Sequence, residues 1–216
     1  MDQPTVKIDF VSDVACPWCV IGLLALEQAI TRVAGDMAVE LHFQPFELNP
    51  AMPPEGEDAT EHLMRKYSVS AEQLAGTRAQ LHQRGAELGF AFGARSRVWN
   101  TFDAHRLLHW AALEASPAAQ RALKHALLTA YHRDNLNVGA HDVLLAVVGD
   151  LALDVERARQ VLADAEFTDD VRDSERFFQK AGINAVPAVI INERHLIQGG
   201  QPVEVFEQAL REIAAA

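Results

Sequence analysis

The sequence predicts an α/β protein: a β-α-β opening, an all-helical block, and a β-β-α close. Three observations carry that prediction. Strand-type runs fall near the two ends of the chain, the long middle reads at helical spacing, and a Pro-rich segment marks the first change of pattern. Val6 to Val11 (VKIDFV) has the β-branched and aromatic content of a strand, and SDVACPWC follows as a turn. From Trp18 to Val33, the residues Leu23, Leu26, Ile30 and Val33 recur at intervals of three and four, which predicts a helix ended by Gly35 and Asp36. Met37 to Pro45 then alternates Val39, Leu41 and Phe43 against Glu40, His42 and Gln44, a second strand.

Pro50, Pro53, Pro54 and Gly56 break regular structure in FELNPAMPPEGEDAT. Helices follow. Ser70 with Gln73 is a capping-box pattern opening a helix to about Leu88. Asn100 or Thr101 can cap TFDAHRLLHWAALEA, and Ser116 before Pro117 is an N-cap with proline at the first helical position. Further helices are predicted over residues 139–151, 154–163 and 168–181, the last with Gly182 as its C′ residue. NAVPAVIIN and ERHLIQGGQP predict a hairpin, and Val205, Phe206, Leu210 and Ile213 lie on one face of a closing helix.

Composition excludes several classes. With 216 residues, 49% hydrophobic and 23% charged, the chain can bury a core, and disordered or collagenous character is excluded. Its 19 basic and 30 acidic residues leave a net charge of −11, which disfavours a nucleic-acid partner. The most apolar stretch, VLLAVVGDLALDV, is interrupted by Asp150 and Asp154, so no membrane association is expected. The start, MDQPTVKIDF, lacks the basic region and apolar run of a signal peptide, so a cytoplasmic location is expected.

Only two cysteines are present, Cys16 and Cys19, too few for a disulfide scaffold. They fall where the first strand turns into the first helix. Two thiols at that spacing reach one disulfide, and unpaired helical N–H groups with the positive end of the dipole favour a thiolate at Cys16. Cys16 is thus the expected nucleophile and Cys19 the more buried resolving thiol. Pro17 suits the first turn, while Trp18 can shield the pair or form a substrate surface. Half of a zinc site, completed by His105 and His109 at i and i+4, is the alternative, but 85 intervening residues, 20 to 104, are too many for a compact module. No metal is expected. Pro187 opens an apolar run where a central strand would exclude it, so the residues allow either a cis Val186–Pro187 turn or a trans proline on an edge strand.

These residues carry a family resemblance. Cys16-Pro17-Trp18-Cys19 at the first strand-to-helix turn, the long helical middle, and Ala185-Val186-Pro187 before the close resemble the DsbA branch of the thioredoxin superfamily. More narrowly, SDVACPWCVIG, NTFDAHRLLHWA and GGQPVEVFEQAL resemble the FrnE-like proteins. The resemblance implies a thioredoxin fold split by a helical insertion: residues 1–48 as its first half, 49–167 as the insertion, and 168–216 as its second half. It implies a thiol-disulfide oxidoreductase with Cys16 and Cys19 as its exchange centre, a cis Pro187 facing them, and Pro17, Trp18, Val186 and Pro187 at the substrate. Protein or small-molecule disulfides and thiols are the implied partners, for a monomer or homodimer. No resident cofactor is implied, glutathione being a candidate co-substrate. Pro17-Trp18 departs from the Gly-Pro of thioredoxin and the Pro-His of periplasmic DsbA, so a redox potential does not carry over.

Related glutathione-dependent 2-hydroxychromene-2-carboxylate isomerases and kappa-class transferases place serine where this chain has Cys16, which makes isomerase or transferase activity an alternative. A redox-sensitive peptide-binding protein is another. Asn100, His105 and Arg106 form a polar cluster that can face the cleft, or else Asn100 is an N-cap and His105 an interface histidine. His62, His82, His125 and His132 are expected on solvated helical faces, and His195 near the exposed hairpin turn.

Overall fold

The computed structural model describes residues 4–215. β1 (Thr5–Ser12) turns into α1 (Pro17–Val33), and β2 (Ala38–Pro45) returns beside it. Two short strands, β3 (Glu57–Asp58) and β4 (Arg97–Val98), bracket α2 (Ala59–Tyr67) and α3 (Ala71–Glu87). Next come α4 (Phe102–Trp110), a π-helical turn (Ala111–Ala115), α5 (Pro117–His132), α6 (His141–Asp150), α7 (Val155–Ala163) and α8 (Thr168–Lys180). β5 (Ala188–Ile191), β6 (His195–Gln198) and α9 (Val203–Ala214) close the chain.

The main sheet has the order β2-β1-β5-β6. β1 runs parallel to β2, with Phe10 opposite Phe43, and antiparallel to β5, with Phe10 opposite Val189. A parallel pair needs a crossover, which α1 supplies, while β5 and β6 need only a turn. This is a thioredoxin fold carrying a helical insertion.

Among the described residues, two large apolar cores and two smaller clusters result. Ile8, Phe10, Leu23, Leu26, Val189 and Phe206 pack between the sheet, α1 and α9. Leu107, Leu123, Leu127, Leu144 and Val161 fill the helical part, and Val14 and Ala15 from the β1–α1 turn pack into that second core. Leu128 of α5 crosses the other way, into the sheet core. Each core therefore holds residues of the other part, and burying them fixes where the turn sits.

Local chemistry explains most element ends. The Ser70–Gln73 capping box forms in both directions, at 2.8 Å and 3.2 Å, and Ser116 accepts from the Ala119 N–H at 3.0 Å. Gly182 follows α8 at φ +91°, in the left-handed region that glycine tolerates. The Pro-rich segment departs from expectation. Asp58 caps α2 by accepting from the Thr60 and Glu61 N–H groups, both at 2.9 Å, so regular structure resumes inside EGEDAT. The helix over TFDAHRLLHWAALEA also differs, since it changes to π-helical geometry after Trp110.

Gly22 permits the closest approach between α1 and the β5 entrance. A Cβ there would lie 2.8 Å from Cγ of Pro187 and 3.4 Å from Cα of Gly200. Gly76, in α3, has nothing within 4 Å of such a Cβ. Gly76→Ala should therefore stabilise the protein by up to about 1 kcal/mol through helix propensity. Gly22→Ala should instead cost about 1–3 kcal/mol by overpacking. Urea unfolding of the two variants checks the opposite signs.

Candidate active site

Cys16 is the N-cap of α1, in extended backbone, and Pro17 is the first helical residue. Its N–H donates to the Asp13 carbonyl at 3.2 Å, and its own carbonyl accepts the Cys19 N–H at 3.1 Å. Both thiols are free. Cys16 retains 4% exposure at the cavity floor, whereas Cys19 has none. The Cys16 thiol lies 3.5 Å from the carbonyl oxygen of Val186, whose bond to Pro187 is cis.

The two thiols are driven apart electrostatically. The Cys19 thiol, donating a hydrogen bond, pulls Cys16 below the ordinary cysteine value; burial opposes it, and the N–H groups of Cys19 and Trp18 add to the lowering. Cys19 goes well above the ordinary value, mainly through burial and then through the adjacent Cys16. The expected backbone contribution is present, but the larger effect on Cys16 comes from its partner thiol.

Charged groups lie buried beneath the pair. Asp13 is fully buried, and its carboxylate accepts from the N–H of Ala15 at 3.0 Å, the N–H of Leu48 at 2.7 Å and the Thr101 hydroxyl at 2.8 Å. His105 Nε2 stands 3.5 Å from it. Burial pushes this carboxyl up, but His105 and the two N–H donors hold it below its ordinary range. Lys124 of α5 is 1% exposed and is lowered by burial, against attraction from Cys19, Asp13 and Cys16. Burial pushes His132 down to about 3, so it is neutral at physiological pH and donates from Nε2 to the Val14 carbonyl at 2.8 Å.

Above Cys16 opens a cavity of about 820 Å³, the size of a small-molecule pocket. Pro17, Trp18 and Val186 line it, while Pro187 packs behind against Gly22. Asn100 and His105 are absent from its walls, correcting the expectation of a cleft-facing cluster. Asn100 lies one residue before Thr101, the N-cap of α4, its side chain accepting from the Phe102 N–H at 2.9 Å and donating to the Met52 carbonyl at 3.3 Å. His105 is turned inward to Asp13, and Arg106 is bound by Asp103 at 2.7 Å and by the Val161 carbonyl at 2.6 Å. His109 packs against Phe167, with ring centroids 5.2 Å apart, so His105 and His109 do not complete a zinc set with the cysteines. Among the described residues, no cluster of three His, Cys, Asp or Glu is placed to hold a metal ion.

Two histidines expected on solvated faces are also buried. His62 sits between Glu57 and Asn49, and His132 lies under the turn. Sequence reasoning missed Asp13, Lys124 and His132 as site residues. Lys124 sits on an amphipathic helix with no motif around it, and only chain folding brings it under Cys19.

The family model described as a DSBA-like thioredoxin domain matches residues 7–211. The chain belongs to the DSBA-like thioredoxin domain family. With its paired thiols it is a thiol-disulfide oxidoreductase. A probable DsbA oxidoreductase from Streptomyces coelicolor is 33% identical, with a TM-score of 0.88 over 96% of this chain and 89% of that one. YwbO of Bacillus subtilis strain 168 is 27% identical over 95% of this chain and 96% of its own length. The cytosolic disulfide reductase DsbM from Pseudomonas aeruginosa, solved with GSH, shares the fold at 18% identity and a TM-score of 0.64, covering 97% of this chain and 100% of that one.

Lys124→Met removes a cation that attracts both thiols and should raise the midpoint of pH-dependent Cys16 alkylation. Asp13→Asn removes an anion and should lower that midpoint. It should also cost about 2–3 kcal/mol in urea unfolding through weakened hydrogen bonds. Because the folded-state pKa of Asp13 is depressed, its stabilisation is present above the unfolded value of about 3.9 and lost as pH falls through the folded value.

Proposed function

We propose that this oxidoreductase exchanges disulfides in the cytoplasm, with Cys16 as attacking thiolate and Cys19 as resolving thiol. One observation carries the reading: Cys16 meets the cavity with its thiol pKa lowered, while Cys19 lies fully buried behind it with its own raised. In reduction of a substrate R–S–S–R, the Cys16 thiolate attacks one sulfur, the S–S bond breaks and RS⁻ leaves. Cys19 then loses its proton and attacks the Cys16 sulfur, releasing the second RS⁻ and leaving a Cys16–Cys19 disulfide. Two electrons have passed to the substrate. Oxidation runs the same steps in reverse.

Lys124 supports the second step, since a buried cation lowers the cost of ionising Cys19. The Val186 carbonyl, 3.5 Å from the Cys16 sulfur, marks the edge along which a substrate chain lies. The cytoplasmic assignment is in keeping with the cytosolic DsbM of similar fold, and glutathione, which that protein was solved with, is a reasonable co-substrate.

Cys16→Ser should abolish dithiothreitol-coupled reduction of insulin. Cys19→Ser should arrest the reaction at a mixed disulfide on Cys16, seen by mass spectrometry of the intact protein. Turnover indifferent to Cys16→Ser would overturn the assignment.

A further inference from the structure

Among the described residues, Lys66, Arg78 and Arg95 line the cavity without an ion-paired carboxylate, as is also true of Arg84, Arg97, Lys124, Lys180 and Arg194 away from it. Lys66 Nζ donates only to the Leu48 carbonyl at 2.6 Å and Asn49 Oδ1 at 2.7 Å. Arg78 donates to the Thr60 hydroxyl at 2.9 Å, and Arg95 to the Tyr131 hydroxyl at 3.0 Å and 3.2 Å. Among the described residues, none of these three has a carboxylate within ion-pair distance, whereas Arg32, Arg65, Arg121, Arg157, Arg172 and Arg211 all do. Lys66 and Arg95 are close enough to repel one another, while the buried Asp13 carboxylate and Cys16 attract Lys66.

Three cations without an ion-paired carboxylate share the lining of one cavity, which concentrates positive charge there in a protein whose net charge is −11. Glu47, the carboxylate among the described lining residues, is ion-paired with Arg172 and with none of the three cations. Between the cations the wall is apolar, formed by residues such as Leu63, Leu81 and Phe92. Charge and shape thus point to one occupant with an anionic group and an apolar body, small enough for about 820 Å³.

We propose that the cavity is the binding site for a small amphipathic anionic disulfide, or the corresponding thiol, with Lys66, Arg78 and Arg95 as its specificity-determining residues. Its acidic groups meet these cations, its apolar body lies on the Leu63, Leu81 and Phe92 wall, and its sulfur reaches Cys16. This rests on the exchange chemistry proposed above. Cys16 breaks the ligand's S–S bond and releases one half as a thiolate; Cys19 releases the other, and the enzyme dithiol becomes a disulfide.

The test compares three disulfides with the reduced enzyme: 5,5′-dithiobis(2-nitrobenzoate), anionic and aromatic; 2,2′-dithiodipyridine, neutral and aromatic; and dithiodiglycolate, anionic without an apolar body. Each second-order rate is divided by that of free cysteine with the same disulfide, which removes intrinsic reactivity. The normalised rate for dithiobis(nitrobenzoate) should exceed each of the others at least about tenfold, a difference of about 1.4 kcal/mol. The double variant Lys66→Gln/Arg78→Gln should collapse the anionic-to-neutral ratio, Arg78→Lys should retain most of it, and raising the salt to about 0.5 M, which roughly halves the electrostatic range relative to physiological ionic strength, should reduce it in the wild type. Lys66 and Arg78 lie outside both cores, so the folded state tolerates these changes; unchanged far-ultraviolet circular dichroism checks it.

Equal normalised rates, a ratio unmoved in the double variant, or a higher kcat/KM for insulin than for any small disulfide would overturn the proposal. If the rates are equal but all vanish in Cys16→Ser, the cavity assignment falls and the exchange chemistry stands. Rates that survive Cys16→Ser overturn the exchange chemistry itself.

Discussion

The buried carboxylate of Asp13 is the constraint on which the rest of the site depends. One ionised side chain, fully out of water, holds the Ala15 N–H of the reactive turn, the Leu48 N–H beyond β2 and the Thr101 hydroxyl at the start of α4. A charge removed from solvent is tolerable only when its lone pairs are occupied. Those occupants come from the thioredoxin part and the inserted helices alike. Asp13 therefore joins the two parts at the point where Cys16 is presented, and Val14 and Ala15, packed into the helical core, reinforce the same junction.

Two chemically identical thiols three residues apart acquire opposite properties from that junction. Cys16, at the start of the helix, receives a hydrogen bond from Cys19 and support from the N–H groups of Cys19 and Trp18, whereas Cys19, one turn inside, meets burial. The difference makes the order of attack directional: the outer sulfur, at the cavity floor, is the better thiolate and the inner one waits for a neighbour to attack. Lys124 moderates the inner thiol, and Asp13 opposes ionisation of the outer one. The reactivity of the pair is set by buried charges of both signs, one of which comes from the inserted helices.

Much of this was legible in the sequence because it is encoded locally. Alternation in β2, the spacing of Leu23, Leu26 and Ile30 in α1, and the Ser70–Gln73 and Ser116 caps all depend on neighbours within about one or two turns. The Cys16–Cys19 spacing is local as well, and so is its place at the turn. The short β3–β4 ladder was not legible, since Asp58 pairs with Arg97 across the whole of α2 and α3. The histidines misled for the same reason. His132 resembles any polar residue on a helix face, and only the approach of the Val14 carbonyl from the far end of the chain makes that face an interior one.

By itself, the sequence determined the element order, the reactive pair and the direction in which a helix N-terminus biases Cys16, because each follows from short-range backbone geometry and periodicity. The tertiary structure decided which charges surround the pair and what shape of substrate can reach it. Asp13, Lys124, Lys66, Arg78 and Arg95 carry no signature in their own segments. Their roles arise from distance and burial, since a charge acts strongly on a thiol or a ligand only once folding has brought it near and displaced the water that would screen it.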